Sequence, residues 1–293
     1  MKRILITGAN SYIGTCFENY MKKWNDKYFV DTVDMVDGSW RKKDFSEYDV
    51  VFHVAGLAHA DVGRVSEEEK QKYYKVNTDL TIETAKKAKE DGVKQFIFMS
   101  SAIVYGESAS VGNNKMITKD TETKPANFYG DSKLQAEIGI KELGDEVYRV
   151  AILRPPMIYG KGSKGNYPIL AKLAKKLKIF PSVKNQRSMI YIENFLEFVK
   201  KVIDNEDSGV FFPQNSQYVS TVDMVKKISE VSGRKIIVTS LLNPFVWIAS
   251  KIPGRIGQLV NKAFGNFTYD MELSNYDNYR IYNFKESIRK TEE

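Results

Sequence analysis

Cysteine and histidine are nearly absent from the sequence. Cys16 is the only cysteine, and His53 and His59 are the only histidines, among 293 residues. One cysteine excludes an internal disulfide and any multi-cysteine zinc or iron–sulfur site, and two histidines are too few for most catalytic metal sites. We therefore predict a protein without a bound metal, and the lone thiol favours a reducing, cytoplasmic compartment.

Long apolar stretches are missing as well. Two basic residues lead directly into Ile4, which leaves no room for the apolar core and cleavage site of a signal peptide. No uninterrupted apolar run elsewhere is long enough to span a bilayer. This pattern also predicts a cytoplasmic protein.

Charge of one sign is in only modest excess. Lys and Arg number 44 against 37 Asp and Glu, which gives a formal net charge of +7. The excess favours anionic partners such as a nucleotide sugar, nucleic acid or an anionic membrane, but it is too dilute to choose among them. Its densest stretch, residues 172–178, predicts the exposed face of an amphipathic helix.

Apolar, β-branched segments recur along the first half, separated by segments with helical spacing. Strands that are apolar on both faces indicate a parallel sheet covered by helices on both sides. With 42% apolar residues the chain can bury such a core. We predict an α/β fold with a Rossmann-type doubly wound parallel sheet. The predicted strands are residues 3–7, 29–34, 50–54, 95–100 and 149–153, with a helix at 78–88.

The pattern changes near residue 160, where Gly160, Gly162 and Gly165 mark a loop. Shorter strands and helices follow, and Ser220, three residues before Asp223, predicts the start of one helix. The second region is expected to be a smaller mixed α/β substrate domain. The predicted dinucleotide-binding domain comprises residues 1–160 and 186–204, and the substrate domain comprises residues 161–185 and 205–293.

A glycine-containing turn, GANSYIG at residues 8–14, joins the first predicted strand to a helix. A helix that begins there would direct its free backbone N–H groups towards a pyrophosphate. Gly8 permits the tight turn and Gly14 permits close packing of helix and strand, whereas Ser11 replaces the middle glycine usual in this motif. The turn predicts a dinucleotide site.

Asp34 ends the second predicted strand, 26 residues after Gly8. A carboxylate near this position accepts hydrogen bonds from an adenosine ribose and repels a 2′-phosphate, so NAD is favoured over NADP. Arg41 and Lys42 follow closely and weaken that preference. An ordinary turn with a surface aspartate is the alternative interpretation.

Tyr129 and Lys133 are four residues apart in a segment with helical character, which places both side chains on one helix face. An ammonium beside a phenol, together with an oxidised nicotinamide, favours the phenolate, so Tyr129 could take a proton from a sugar hydroxyl. Ser100 and Ser101 end a strand where ligands of open α/β sheets bind. Alone, such a tyrosine–lysine pair is more often a surface pair; its place after the glycine turn and the serines favours catalysis.

These features resemble the extended short-chain dehydrogenase/reductases, specifically the NAD-dependent nucleotide-sugar epimerase/dehydratase family. The resemblance holds in order and spacing over about the first two thirds of the chain. The matching residues are TGANSYIG (7–14), Asp44, HVAG (53–56), Asn77, SSAIVYG (100–106), Tyr129 with Lys133, and RPPMIYG (154–160).

The resemblance implies a role for each of these residues. It implies a catalytic trio of Ser101, Tyr129 and Lys133. It also implies that Asp34 contacts the ribose, Asp44 the adenine and Lys133 the nicotinamide ribose. The full set of cofactor-binding residues is Gly8, Ser11, Tyr12, Ile13, Gly14, Asp34, Asp44, Ala55 and Lys133.

A UDP-sugar is the substrate class that the resemblance implies. Phe180 resembles the segment that packs on uracil, and Arg187 resembles the arginine that contacts the uridine diphosphate, for which a guanidinium is well suited. Asn166 could reach the base or a phosphate. By residue type alone, these three would equally fit a core phenylalanine, a surface arginine and a loop asparagine.

The residues after the catalytic serine restrict the chemistry. Dehydratases carry an Asp-Glu pair there, whereas Ala102 and Ile103 cannot transfer a proton, so 4,6-dehydratase activity is not expected. The leading prediction is a 4-epimerase of a UDP-hexose or UDP-N-acetylhexosamine. A UDP-4-keto-6-deoxy-sugar reductase would use the same trio, and a non-catalytic nucleotide-sensing protein would need neither Tyr129 nor Lys133 aligned. We expect no nucleic-acid partner, and the resemblance suggests a homodimer.

Residues 241–267 combine large apolar side chains, such as Phe245 and Trp247, with the basic Lys251, Arg255 and Lys262. One interpretation is an interfacial helix that makes a peripheral membrane contact. The favoured interpretation is a lid or subunit contact that packs on the substrate domain.

Overall fold

Strands and helices alternate along most of the computed structural model, which describes residues 1–58 and 65–293, so His59 lies outside the described residues. The strands are β1 Lys2–Thr7, β2 Tyr28–Val33, β3 Val50–His53, β4 Gln95–Met99, β5 Met116–Ile117, β6 Arg149–Leu153, β7 Met157–Tyr159, β8 Ile179–Pro181, β9 Met189–Tyr191, β10 Gly209–Phe211, β11 Ile237–Thr239 and β12 Thr268–Tyr269. The helices are α1 Tyr12–Met21, α2 Glu67–Tyr73, α3 Leu80–Glu90, α4 Phe128–Lys141, α5 Asn166–Lys176, α6 Ile192–Asp204, α7 Thr221–Val231, α8 Asn243–Lys251, α9 Arg255–Phe264 and α10 Phe284–Glu292.

The chain divides into two units, each with its own internal packing. Unit 1 comprises Met1–Gly106, Thr123–Pro155 and Leu196–Pro213. Unit 2 comprises Glu107–Glu122, Pro156–Phe195 and Gln214–Glu293. Each unit is therefore built from three separate stretches of chain.

Unit 1 contains a six-stranded sheet in the order β10-β6-β4-β3-β1-β2, in which all neighbouring strands are parallel. The doubly wound α/β fold is thereby confirmed, and every predicted strand boundary lies within one residue of the observed one. In this order β2 lies on one side of β1 and β3 lies on the other, so the direction in which successive strands are added reverses at β1. Ligands of such sheets bind at this reversal, beside the carboxyl ends of the strands.

The sheet is apolar on both faces because helices cover it on both sides. Consecutive residues Ile4, Leu5 and Ile6 of β1 are all fully buried. Each apolar side chain of this size stabilises the fold by about 1.5–3 kcal/mol when buried. Tyr148 is also buried, and its hydroxyl donates to the Ala85 carbonyl oxygen at 2.7 Å, so its polar atom is satisfied within the core.

Unit 2 contains three short parallel pairs, β7 with β9, β8 with β11 and β5 with β12. Ser220 caps α7 as predicted, since its hydroxyl accepts from the Asp223 amide at 2.9 Å. The unit boundaries differ from the predicted domains because of three strand pairings. β5 pairs with β12, so residues 107–122 belong to unit 2. β7 and β9 pair with each other and join unit 2, whereas β10 pairs with β6 and joins unit 1.

The helices α8 and α9 depart from the favoured interpretation of residues 241–267. Their large apolar side chains are exposed, Phe245 by 68% and Trp247 by 56%. The interpretation as a lid packed on the substrate domain is therefore wrong for these side chains, while a subunit contact stays a prediction. Within residues 1–58 and 65–293, no helix has both the length and the apolar character needed to cross a bilayer.

Candidate active site

The turn between β1 and α1 requires glycine at both ends. Gly8 has a φ of +99°, and a Cβ there would lie 2.8 Å from the Ala55 amide nitrogen. At Gly14 a Cβ would lie 2.7 Å from the Ser11 hydroxyl oxygen and 3.2 Å from Ile6. Both distances are too short for a side chain, so helix and strand can pack this closely only with glycine.

Ser11 has a defined role in this turn although it replaces a glycine. It is the N-cap of α1, and its hydroxyl oxygen accepts from the Gly14 amide at 3.1 Å. The next residues, Tyr12 and Ile13, begin the helix, where N–H groups have no intrahelical partner. The turn therefore presents a helix N-terminus at the carboxyl end of β1, which suits an anion.

Asp34 and Asp44, the two acidic residues predicted to contact the adenosine, are both exposed. Asp34 directly follows β2 and accepts from the Val36 amide at 2.7 Å. Asp44 accepts from the Ser46 amide at 2.8 Å, and hydrogen bonds from Ser46 lower the pKa of Asp44. Arg41 forms an ion pair with Glu83, so its charge is directed to that carboxylate and less to a 2′-phosphate beside Asp34.

The loop after β3 packs closely against Lys133. A Cβ at Gly56 would lie 3.0 Å from both the Asn77 Oδ1 and the Lys133 Nζ. Asn77 is buried in a π-helical segment, Tyr74–Asp79, and fixes the loop by accepting from the Leu57 amide at 2.7 Å. These contacts hold the main chain after Ala55 close to the Lys133 ammonium.

His53 is a structural residue at the end of β3. It is fully buried, and its ring nitrogens lie 2.7 Å from the Thr7 hydroxyl and 3.1 Å from the Thr81 hydroxyl. Burial, together with the charge of Lys133, lowers the pKa of His53 to about 3. The ring is therefore neutral at ordinary pH.

Helix α4 brings Tyr129 to Ser101. Asn127 caps the helix by accepting from the Gly130 amide at 3.0 Å. A Cβ at Gly130 would lie 2.9 Å from the Ile103 carbonyl oxygen, so α4 packs directly on the turn that follows Ser101. Burial raises the pKa of Tyr129 to about 12, and a hydrogen bond with the Ser101 hydroxyl opposes this rise.

Lys133 lies one helical turn further along α4 and is 5% exposed. Its ammonium donates to the Met99 carbonyl oxygen at 3.0 Å and lies 4.8 Å from the centre of the Phe98 ring. Burial lowers the pKa of Lys133 to about 8, against the opposing charge of Glu137. Lys133 is not among the groups that shift the Tyr129 pKa. The expected lowering of the Tyr129 pKa by Lys133 together with an oxidised nicotinamide stays a prediction.

A buried ion pair that the sequence analysis missed lies behind the trio. Arg154 Nε is 3.1 Å from each carboxylate oxygen of Glu137, and Arg154 Nη1 donates to the Tyr105 hydroxyl at 2.6 Å. The two side chains are 12% and 4% exposed. Ser100 also donates to Glu137, so of the two serines only Ser101 is turned to Tyr129. Tyr129, Lys133 and Glu137 repeat every four residues, and this spacing was the available signal.

The predicted substrate residues all lie in unit 2. Arg187 Nη1 donates to the Ser108 hydroxyl at 3.1 Å and to the Gly265 carbonyl at 3.0 Å, and burial lowers the pKa of Arg187 to about 10. Among the described residues, no carboxylate forms an ion pair with it. A half-buried arginine that donates to these neutral groups suits an anionic ligand.

Phe180 and Asn166 differ from Arg187 in what they can offer. Phe180 is 3% exposed and packs against Phe264 at a ring distance of 5.8 Å. The Phe180 ring is therefore part of the core and has little surface left for a uracil to stack on. This corrects the expected packing of Phe180 on uracil. Asn166 is half-buried and opens α5 after Gly165, where backbone N–H groups point out of the helix.

Metal ligands do not gather in the part of the chain that is described, since no group of three or more His, Cys, Asp or Glu side chains could hold an ion there. The glycine turn, the serine at the end of β4 and the tyrosine–lysine helix instead define a dinucleotide-dependent oxidoreductase site of the short-chain dehydrogenase/reductase type. The model of the NAD dependent epimerase/dehydratase family matches residues 4–212. The chain belongs to this family and is an NAD-dependent enzyme.

Individual relatives agree with this assignment. The chain is 32% identical to a UDP-glucose 4-epimerase of Vibrio cholerae over 78% of this chain and 75% of that protein. It is 29% identical to an N-acetyl-alpha-D-glucosaminyl-diphospho-ditrans,octacis-undecaprenol 4-epimerase of Escherichia coli O157:H7 over 70% of this chain and 64% of that protein. A crystal structure of a dTDP-4-dehydrorhamnose reductase from Clostridium acetobutylicum shares the fold at a TM-score of 0.72 and 21% identity, covering 99% of this chain and 98% of the other.

Proposed function

We propose that the chain is an NAD-dependent 4-epimerase of a UDP-hexose or UDP-N-acetylhexosamine. The observation that carries the proposal is the close packing of the start of α4, which holds Tyr129, on the turn that follows Ser101, one helical turn from the buried Lys133. Three such groups can hold and move a proton at one sugar oxygen. The similarity to a UDP-glucose 4-epimerase supports the reaction.

NAD fits the residues at the carboxyl end of β1. The close approach of Gly8 to Ala55 leaves bare backbone at the start of α1, where a pyrophosphate can reach the N–H groups. Asp34 would bind the adenosine ribose, Asp44 the adenine and Lys133 the nicotinamide ribose. When bound there, NAD would supply the hydride acceptor and donor for oxidation and reduction at the sugar carbon. The residues proposed at the pyrophosphate and beside it are Gly8, Ser11, Tyr12, Ile13, Gly14 and Ala55.

Tyr129 is the proposed proton carrier. With a pKa raised to about 12 it is protonated at neutral pH, so it can donate to the oxygen of a keto sugar. In the opposite direction it must take the proton of the C4 hydroxyl, and negative charge on its oxygen is then stabilised by the Ser101 hydroxyl and the nearby Lys133 ammonium. Epimerisation uses both directions in turn, with the keto sugar rotating between them.

Lys133 suits this supporting role because of its own pKa. Burial lowers that pKa only to about 8, so most of the population carries an ammonium at pH 7. The hydrogen bond from the Lys133 ammonium to the Met99 carbonyl fixes the ammonium at the end of β4. A fully neutral amine would not stabilise a phenolate.

Arg187 supports a nucleoside diphosphate as the part of the substrate that is recognised. A guanidinium can bind two phosphate oxygens, and that of the half-buried Arg187 forms no ion pair with a carboxylate among the described residues. Asn166, at the first turn of α5, is the second proposed contact. Phe180 would contribute through its position on β8 and not through ring stacking.

A lipid-linked sugar diphosphate is a second candidate substrate. The Escherichia coli relative is named as a 4-epimerase of such a molecule. The same trio would act on it, because only the group beyond the diphosphate differs. The observation that favours it is the exposed apolar surface of α8 and α9.

The test is to incubate the purified protein without added cofactor with UDP-glucose, UDP-N-acetylglucosamine or the polyprenyl-diphosphate form of N-acetylglucosamine, and to resolve the C4 epimers. Epimer formation that is lost in Tyr129→Phe is the expected result. Oxidation of added NADH only with a UDP-4-keto-6-deoxy sugar would instead assign the reductase. Turnover of none of these sugars would leave a nucleotide-sensing role.

Tyr74→Phe is the matched control for this variant. It also removes one phenolic hydroxyl, which donates to Asp131 at 2.7 Å, but it leaves the trio intact. Epimerisation should therefore persist in Tyr74→Phe. A homodimer and a cytoplasmic location are part of the proposal; the first follows the family resemblance and the second the lone cysteine.

A further inference from the structure

Helices α8 and α9 of unit 2 carry an unusual surface, called here the α8–α9 face. Five large apolar side chains lie on it, and each is between 55% and 68% exposed. They are Phe245, Trp247, Ile248, Ile256 and Leu259. An exposed apolar surface of this kind marks an interaction site in proteins.

The fully buried positions of these helices are occupied by small residues. Every residue of both helices is described, and only Ser250 in α8 and Gly257 in α9 are buried. A Cβ at Gly257 would lie 2.2 Å from the Ile252 carbonyl oxygen, so no larger residue fits. An amphipathic helix normally turns its large apolar residues inward, as Phe264 does towards Phe180, whereas the five side chains of the α8–α9 face point to solvent.

Polar contacts fix the two helices in this orientation. The Asn261 amide group donates to the Ser250 carbonyl at 3.1 Å, and its oxygen accepts from the Val111 amide at 2.9 Å. Asn185 also donates to the Ala263 carbonyl at 3.4 Å. The apolar side chains are therefore held outward by specific contacts.

The stretch of chain that contains the face carries charge of one sign. Residues 231–269 contain no Asp or Glu and five basic residues. Three of these, Lys251, Arg255 and Lys262, lie on α8 and α9 themselves and are exposed. A partner that fits this face must offer an apolar interior and negative charge at its surface.

We infer that the α8–α9 face binds the surface of an anionic lipid bilayer. Bilayers combine acyl chains with negatively charged headgroups, and basic amphipathic helices lie in that interface. Trp247 suits the boundary, since tryptophan has an apolar body and a polar N–H. The helices contain nine and ten residues, so they lie on the bilayer and do not cross it.

A second copy of the chain fits this face less well. Two identical faces related by a twofold axis would oppose basic residues with basic residues, and like charges at an interface are unfavourable. The anionic bilayer satisfies both the apolar and the charged residues. This inference does not depend on the proposed epimerase activity, because membrane binding can be measured without turnover.

The test is flotation of the full chain with vesicles of phosphatidylcholine containing phosphatidylglycerol, compared with phosphatidylcholine alone. Co-flotation with the anionic vesicles is expected. The double variant Phe245→Ser and Ile248→Ser should lower the partition coefficient roughly tenfold or more, since each loses apolar contact with the bilayer. Lys251→Gln with Lys262→Gln should lower it similarly for anionic vesicles, at about fivefold for each charge.

Val147→Ser is the matched control. Val147 is an apolar residue that is 80% exposed outside the face, so its replacement should leave flotation unchanged. Brominated lipids should quench the fluorescence of the wild type more than that of Trp247→Phe, because of the other two tryptophans Trp40 is buried and the half-buried Trp24 belongs to unit 1, outside the face. Absence of flotation with anionic vesicles, or flotation that the face variants do not change, would overturn the inference. So would a wild-type dimer that the face variants dissociate in sedimentation, without vesicle binding.

Discussion

Burial acts in opposite directions on two side chains of the same helix face. It raises the pKa of Tyr129 to about 12 and lowers the pKa of Lys133 to about 8, because in both cases the neutral form is favoured away from water. The two groups therefore stay protonated together only below about pH 8. The sheet and the loop at Gly56 determine this environment, and neither is visible in the spacing of the two residues.

The cost of burying the Lys133 charge predicts a pH-dependent stability. Between the folded pKa of about 8 and the ordinary value of 10.5, the unfolded chain binds more protons at this residue, so the free energy of unfolding rises with pH in this window. Relative to Lys133→Met, the wild type should gain on the order of 3 kcal/mol between pH 7.5 and 10.5. Urea unfolding of both proteins at several pH values measures the difference.

The comparison isolates Lys133 because the other titrating groups are common to both proteins. Lys133→Met also removes the hydrogen bond to the Met99 carbonyl. This loss adds a constant to the difference in unfolding free energy between the two proteins, and it does not change how that difference varies with pH. A constant difference across pH 7.5–10.5 would contradict the lowered pKa.

The ion pair between Glu137 and Arg154 predicts a strong dependence on both partners. Glu137→Gln leaves the Arg154 guanidinium buried without its carboxylate, and breaking a buried pair in this way costs about 3–5 kcal/mol. Removing both charges, as Glu137→Gln with Arg154→Met, should cost less than the single change. Chemical denaturation of the two variants and the wild type gives these free energies.

Additive losses in the double variant would show that the two side chains do not interact. The sequence alone did not predict this pair. Arg154 stands 17 positions from Glu137 and on a different element, and only the packing of α4 beside β6 brings their charges together.

At the scale of elements, the β1–α1 turn allows a direct test of its glycines. Gly14→Ala would place a Cβ 2.7 Å from the Ser11 hydroxyl that caps α1, so both the cap and the helix position must shift. We expect a loss of about 1–3 kcal/mol in stability and weaker NAD binding. Calorimetric titration with NAD and thermal unfolding measure the two effects.

Gly144→Ala is the matched glycine control. A Cβ there meets its neighbours at 3.5 Å or more, which is ordinary contact. Its NAD affinity should equal that of the wild type. Equal NAD affinity in Gly14→Ala would contradict the assignment of the turn to the cofactor.

Elements were predictable to different degrees for physical reasons. Five of the six strands of the large sheet were predicted within one residue, because their apolar, β-branched runs are a local signal, whereas the short β10 at its edge was not predicted. The pairing of β5 with β12 joins residues about 150 positions apart, and no local pattern reports it. The π-helical segment Tyr74–Asp79 was also not predicted. Its residues have ordinary helical propensity, and tertiary contacts determine that its turns are wider than those of an α-helix.

At the scale of the whole molecule, α8 and α9 show why an apolar pattern does not reveal its partner. The apolar residues of 241–267 predicted one helical apolar face there, and the structure has two helices in this stretch. The direction of that face depends on Ser250 and Gly257, whose small size selects the packed side. Periodicity reports that a face exists, and only packing decides whether it points to the core or to solvent.

The neutral, buried His53 predicts how unit 1 responds to acid. Its folded pKa of about 3 lies below the ordinary value of 6.5, so below pH 6.5 the unfolded chain binds the extra proton and the free energy of unfolding falls as the pH falls. On the order of 3 kcal/mol should be lost by pH 4 through this residue alone. His53→Phe removes the titration, although it also costs the hydrogen bonds to Thr7 and Thr81 at every pH.

Urea unfolding of wild type and His53→Phe between pH 7 and 4 separates the two contributions. The lost hydrogen bonds make the variant less stable at pH 7, whereas its smaller dependence on acid should bring the two free energies together as the pH falls. Carboxylates that also titrate in this range affect both proteins equally. Parallel curves would mean that His53 takes up its proton within the folded sheet, and the burial at the end of β3 would then be incomplete.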